Sequence, residues 1–272
     1  LLTRFSRLYP DVTWRDFSYG PESRSLAFEA LGRPEWIVNA IGVTKPLIKD
    51  DNSEQVENAV SVNCMLPHDL GRFAASCGCR VLQIATDCVY SGQGSFYRES
   101  SPHDALDVYG KTKSIGETWQ ANVHHLRCSI IGPEPKDFKF LVEWFRRQPS
   151  GAKVNGFQNH HWNGVTTLHF AKVCKGIIDN DIELGHSQHV VPNGTASKAQ
   201  MLKDFATAYK RTDISINSVD AATIVDRTLS TDNPDRNTML WNAAGYKIIP
   251  TVPQMIEELG SYNYRGAGGT EC

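Results

Sequence analysis

The segment Tyr109-Gly110-Lys111-Thr112-Lys113 sets a tyrosine and a lysine four residues apart, a spacing that puts both on one helix face, one turn from each other. An ammonium beside a phenol favours the phenolate, so the tyrosine is expected to fall below its free pKa of about 10 and to exchange a proton near neutral pH. Asp107 stands just ahead, where a helix cap belongs. The spacing alone is weak ground, because nine tyrosines in one chain make such a pair a common accident on an ordinary solvated helix face.

Ala85-Thr86-Asp87-Cys88-Val89-Tyr90 strengthens it. Val81 to Thr86 reads as a buried strand, and Thr86 and Asp87 leave its carboxyl end, which is where open α/β sheets bind their ligands. A hydroxyl there can bond a substrate oxygen while Tyr109 protonates it. Taken singly, Thr86 reads as a strand-end hydroxyl bonding the local backbone. Grouped with Tyr109 and Lys113 it reads as catalytic. Asp87 serves equally well as a cap for the next turn.

These residues need a scaffold. Trp36 to Ala40, Val81 to Thr86 and Leu126 to Ile131 read as strands, with helices over Glu54 to Cys77 and from Asp107 onward between them. Strand, helix, strand in this rhythm predicts right-handed crossovers and a doubly wound, Rossmann-like parallel α/β sheet. Beyond Gly132-Pro133-Glu134-Pro135 the pattern turns to helices at Phe138 to Arg147, Leu168 to Ile178 and Lys198 to Tyr209. The expected division is a nucleotide-binding domain over 1–150 and a smaller, mostly helical substrate lobe over 151–272, interleaved with the sheet. The closing Arg265-Gly266-Ala267-Gly268-Gly269 reads as a frayed tail.

Composition narrows the partners. With 272 residues, 40% hydrophobic, 21% charged and a net charge of -2, the chain can bury a full core and carries no basic footprint for nucleic acid or an anionic membrane. No apolar run approaches the roughly 18 residues needed to span a bilayer, and a cytoplasmic location is expected. Seven cysteines, an odd number scattered through apolar segments, fit a reducing compartment. Cys77-Gly78-Cys79 is too tightly spaced for a zinc knuckle and reads as structural.

Asn39-Ala40-Ile41-Gly42 follows the first strand, where small residues let a dinucleotide approach the backbone or simply make a turn. Asn63 precedes Pro67 by four residues, and proline has no N–H for the Asn63 carbonyl. That carbonyl is free to bind water, or the helix simply kinks there.

The ordered blocks Ile84 to Gly92, Tyr97-Arg98-Glu99 and Asp107 to Glu117, with Ile37 to Ala40, Val62-Asn63, Pro67, Leu126 to Gly132 and, more faintly, Asp226 to Leu229, resemble the dTDP-4-dehydrorhamnose reductase family of extended short-chain dehydrogenases. The resemblance covers most of the chain. It implies that Thr86, Tyr109 and Lys113 are catalytic, with Tyr109 the general acid and Lys113 also holding the nicotinamide ribose. It implies NADPH or NADH as cofactor, contacted by Asp16 and Phe17 at the adenine and by Asn39, Ala40, Ile41, Gly42, Asn63, Ala85, Tyr109 and Lys113. A nucleotide-linked 4-keto-6-deoxysugar would meet Thr86, Asp87, Ile130, His161, Trp162 and Asn163. A homodimer is the implied assembly.

Two departures stand out. No G-x-x-G-x-x-G follows a first strand, and Gly20 stands alone in Ser18-Tyr19-Gly20-Pro21. Since the chain begins at Leu1, an apolar strand and glycine-rich turn of roughly 10–20 residues are expected to precede a helix over Leu1 to Leu8. Asn159 to Thr167 replaces a shorter family segment ending in Pro-Thr, and His160, His161 and Trp162 there could form a stacking surface for a base, with Trp162 foremost. Metal binding by two adjacent histidines lacking a carboxylate partner is not expected, and His124-His125 reads as a loop before a strand. The leading function is an NAD(P)H-dependent nucleotide-sugar reductase. An NAD-dependent epimerase or dehydratase shares the Tyr-Lys pair. A regulatory nucleotide-binding subunit, like that of methionine adenosyltransferase, is the reading from another class.

Overall fold

The computed structural model describes residue 28 and residues 31–134 and 138–263. The expected helix over Leu1 to Leu8, the Asp16-Phe17 pair, the Gly20 turn and the tail at Arg265 to Gly269 lie outside the described residues.

Strand β1 (Trp36–Asn39) is followed by helices α1 (Ser53–Ala59) and α2 (Leu66–Cys77), strand β2 (Arg80–Ala85), helix α3 (Val108–Ile115) and strand β3 (Val123–Arg127). These three strands lie in parallel, with Asn39 opposite Gln83 and Ala85 opposite Arg127. The sheet is α/β and parallel, as the βαβ rhythm predicts. Both faces are covered, as a parallel sheet requires. Alternation sends Val81 and Val123 to one face, packed with Ala74 of α2. Leu82 and Leu126 face the other way, into the main core with Phe170, Cys174 and Trp241.

The expected kink before Pro67 is a π-helical turn over Val60–Met65 that joins α1 to α2, with the Leu66 N–H reaching back to the Ser61 carbonyl. Proline lacks the N–H that would continue the tighter ladder, and the wider turn absorbs the loss. Cys77, Gly78 and Cys79 close α2, Gly78 taking the left-handed φ of 74°. The two thiols touch at 3.2 Å.

The second half contains α4 (Leu141–Arg146), β4 (Lys153–Phe157), α5 (Thr167–Asp179), β5 (Ser187–His189), α6 (Lys198–Ala208), β6 (Ser215–Val219), α7 (Pro234–Ala243) and α8 (Val252–Ser261). Besides the expected helices it carries a parallel β4–β6 pair. Its strand β5 joins the main sheet beside β3, giving the order β1-β2-β3-β5. His124 and His125, expected in a loop, lie inside β3 and are buried, because the strand begins three residues earlier than the apolar run suggests. Among the described residues no helix is long and apolar enough to cross a membrane, and no three His, Cys, Asp or Glu side chains gather as metal ligands would.

Candidate active site

Thr86 follows β2 directly and caps a single 3-10 turn over Asp87–Val89, its Oγ1 accepting from the Cys88 N–H at 3.1 Å. The same hydroxyl reaches Asp87 Oδ1 at 3.3 Å. Asp107 caps α3 as expected, accepting from the Gly110 N–H at 2.8 Å. Gly110 explains how closely this helix seats on the turn: a methyl group there would lie 2.4 Å from the Ala105 Cβ and 2.5 Å from the Cys88 carbonyl oxygen. The close seat brings the Tyr109 phenol near enough to Thr86 for the threonine side chain to act on its titration. One turn on, the buried Lys113 donates from Nζ to the Ile84 carbonyl at 2.8 Å. Thr86, Asp87, Tyr109 and Lys113 thus gather at the carboxyl end of β2.

The electrostatics differ from the simple pairing of cation and phenol. Burial pushes the Tyr109 phenol up, Cys88 and Asp87 add to the rise, and the Thr86 side chain offsets only part of it. The lowered pKa expected from Lys113 is therefore corrected: desolvation outweighs the neighbouring cation, whose hydrogen bond goes to Ile84. Burial pulls Lys113 down to about 8, while Glu117 pushes it up and Arg127 pulls it further down. Burial also raises the Asp87 carboxyl against the pull of Arg227 and Lys198.

On the side expected to meet a dinucleotide, Asn39 is buried and spends its side chain on Gln83 Oε1, at 2.7 Å, and on the Ile41 N–H, at 3.1 Å. Ala40 and Gly42 remain exposed on the loop that follows, and Ala85 is buried. Asn63 braces that loop, accepting from the Val43 N–H and donating to the Val43 carbonyl, each at 2.9 Å. Its own carbonyl is not open to water as expected. It is covered by Gly116, where an added methyl would come within 2.0 Å of the oxygen, so the close approach of α3's end occupies the space.

On the substrate side, the two-residue strand His161–Trp162 pairs antiparallel with Ala196–Ser197. Strand alternation sends His161 outward and Trp162 into the core. Trp162 is 6% exposed, and its Nε1 donates to Ser129 Oγ at 2.8 Å, which corrects the expectation of an open stacking platform. Asn163 is likewise committed, its amide bonding both the Leu229 carbonyl and N–H at 2.7 and 2.8 Å. Ile130 is half-buried and pairs with Val165.

Three residues that the sequence reading passed over belong to this neighbourhood. Arg127 and Glu117 form an ion pair at 2.7 Å behind Thr86. An arginine at the end of an apolar strand run, and a glutamate four residues after Lys113, were the visible signals. Lys198 begins α6 and lies 5.6 Å over the Trp162 ring, where burial pulls it down to about 8 against the opposing pull of Asp87. Only the tertiary fold brings it there, so no local pattern announced it.

A parallel α/β sheet with helices on both faces and polar groups at its carboxyl edge defines a Rossmann-like protein. The chain belongs to the RmlD substrate binding domain family, which it matches over residues 24–258. It is 34% identical over 103 residues to a dTDP-4-dehydrorhamnose reductase of Streptomyces griseus, covering 38% of this chain and 32% of that one. It is 32% identical over 85 residues to methionine adenosyltransferase 2 subunit beta of Xenopus tropicalis, covering 31% of this chain and 25% of that one. The chain thus spans between 25% and 32% of the length of these two relatives. In structure it resembles a dTDP-4-dehydrorhamnose reductase of Bacillus anthracis solved with NADP, at TM-score 0.71 and 16% identity, covering 93% of both chains. It also resembles the Bordetella bronchiseptica enzyme WbmG solved with NAD and UDP, at TM-score 0.66 and 15% identity, covering 91% of this chain and 76% of that one. At these identities the structural likeness is one of fold.

Proposed function

We propose that the chain is an NADPH- or NADH-dependent reductase of a nucleotide-linked 4-keto-6-deoxysugar. The observation that carries this reading is the gathering of Thr86, Tyr109 and Lys113 at the carboxyl end of β2, where Thr86 caps the turn that follows the strand and the Lys113 ammonium donates to the Ile84 carbonyl at 2.8 Å. Residues 1–150 serve the dinucleotide and 151–272 the sugar, interleaved through β5. All six described cysteines are free thiols, which supports a cytoplasmic enzyme. The assembly we propose is a homodimer.

The residues suit a dinucleotide. The braced loop at the end of β1 exposes the small residues Ala40 and Gly42, and the buried ammonium of Lys113 can reach a ribose hydroxyl from the end of β2. A bound reduced dinucleotide supplies a hydride to the ketone carbon. Tyr109 gives its proton to the ketone oxygen as that oxygen gains charge, and the raised phenol pKa keeps that proton in place until then. Thr86 turns its hydroxyl from Asp87 to the same oxygen. Lys113, charged at neutral pH, stabilises the phenolate that remains. Lys198 and Asp87 line the sugar side, in place of a stacked Trp162.

The similarity to methionine adenosyltransferase 2 subunit beta favours one other reading, a dinucleotide-binding subunit without turnover. Mixing the chain with either reduced dinucleotide and dTDP-4-dehydrorhamnose separates the two. The reductase reading predicts loss of reduced nicotinamide in step with formation of the C4 alcohol. Tight dinucleotide binding with no alcohol formed contradicts it.

A further inference from the structure

The threonine of this site is held from behind. Arg127 ends β3 and is only 1% exposed. Its Nη1 donates to the main-chain carbonyl of Thr86 at 3.1 Å, and its Nη2 pairs with Glu117 Oε2 at 2.7 Å. Glu117 stands four residues past Lys113, just beyond the end of α3. One ion pair therefore ties the strand end bearing Thr86 to the helix bearing Tyr109 and Lys113. Burying such a pair costs desolvation that apolar side chains of the same volume would avoid. Neither Arg127 Nε nor Glu117 Oε1 finds a hydrogen-bond partner among the described residues, so the pair is not one refined for stability alone.

We propose that Glu117 and Arg127 are positioning residues of the catalytic set, the guanidinium holding Thr86 by its main-chain carbonyl and the paired charges balancing the ammonium of Lys113. The inference rests on the reductase reading for its kinetic consequences, but its electrostatic part stands without it. Burial lowers Lys113 to about 8, and Glu117 and Arg127 act on it with opposite sign. Other titratable groups face the pair. His103, in the loop before α3, has Nε2 3.9 Å from Glu117 Oε2, and His125 in β3 and His186 ahead of β5 also act on or respond to Glu117. Burial pulls all three histidines down, so at neutral pH they are uncharged. That leaves the two permanent charges to govern Lys113.

Opposite signs give a signature that a merely structural role would not produce. Glu117→Gln strands the guanidinium and should make Lys113 titrate lower, by about half a pH unit or more. Arg127→Gln removes a repulsion and should make it titrate higher by a similar amount. The double variant E117Q/R127Q should return Lys113 toward the parent value. Arg127→Lys keeps the charge but lacks the fork that holds Glu117 and the Thr86 carbonyl together. It should leave the titration in place and lower kcat without raising KM.

The test is a pH titration by NMR of protein labelled at lysine Cε, with the Lys113 resonance identified by its loss in Lys113→Met, beside kcat against pH for each variant. Opposite shifts in the two single variants, with the alkaline limb of kcat moving in step, are expected. Shifts of the same sign, or none, overturn the proposal even where the parent enzyme turns over. Opposite shifts in a parent that reduces no keto sugar support the charge balance and overturn the reductase reading instead. If Arg127→Gln does not fold, the single variant Glu117→Gln and the double variant carry the same test, since the second must reverse the first.

Discussion

Asn63 holds Val43 by both of its main-chain polar groups, each at 2.9 Å. This contact fixes the loop after β1 from a π-helical turn 20 residues further along the chain. Asn63→Leu removes both bonds and leaves a part-buried N–H and carbonyl unsatisfied, so stability should fall by about 1–3 kcal/mol. Dinucleotide affinity should weaken as well, because Ala40 and Gly42 lose their backing. Urea unfolding and calorimetric titration check the two effects. Unchanged affinity would mean that the loop does not serve the dinucleotide.

Lys198 and Trp162 should separate substrate contact from packing. Lys198→Met should raise the KM for the nucleotide sugar by about tenfold, as expected for losing a charged hydrogen bond, and leave dinucleotide affinity as it was. Trp162→Ala opens the core and should cost about 3–5 kcal/mol of stability. Its effect on the two ligands should be equal. A selective loss of sugar affinity in Trp162→Ala, with the fold intact, would restore the stacking role.

Between about pH 8 and 9, activity and stability should move in opposite directions. Lys113 and Lys198 both sit at about 8, below their ordinary 10.5. As pH rises through 8 the folded protein releases these protons while the unfolded chain still holds them, so the unfolded state binds more and their contribution to stability rises from pH 8 to about 10. Near pH 9 the overall sign reverses, because the unfolded chain loses its thiol protons while the raised Cys64, Cys79, Cys88, Cys128 and Cys174 keep theirs, and the raised Tyr109 adds to this at higher pH. Activity should instead decline above pH 8, as Lys113 loses its charge. Thermal unfolding and kcat across this range test the divergence, and a kcat that stays level to pH 9 would remove the need for a charged Lys113.

The sheet and the grouping of Thr86, Tyr109 and Lys113 were legible because both are local. Val81 to Thr86 carries its own apolar run, and Asp107, Tyr109 and Lys113 fall within two turns of one helix. What stayed hidden depends on contacts between distant segments. Trp162 looked like an exposed aromatic in a polar loop, and only its pairing with Ala196 turns it inward. The Asn63 carbonyl looked free because the missing proline N–H is local, while the Gly116 that covers it arrives 53 residues later. The expected acidic shift of Tyr109 failed for the same reason: spacing reveals the charge nearby and not the depth of burial, which here decides the sign.

The most direct test of the account is the single-turnover rate of Tyr109→Phe at saturating dinucleotide and keto sugar, beside that of the parent enzyme. The substitution keeps the ring and removes only the proton that Tyr109 donates. The account predicts that both ligands still bind and that reduction slows by about 10² to 10⁴-fold. A rate within about tenfold of the parent would contradict the assignment of Tyr109 as the acid and, with it, the chemistry proposed for this site.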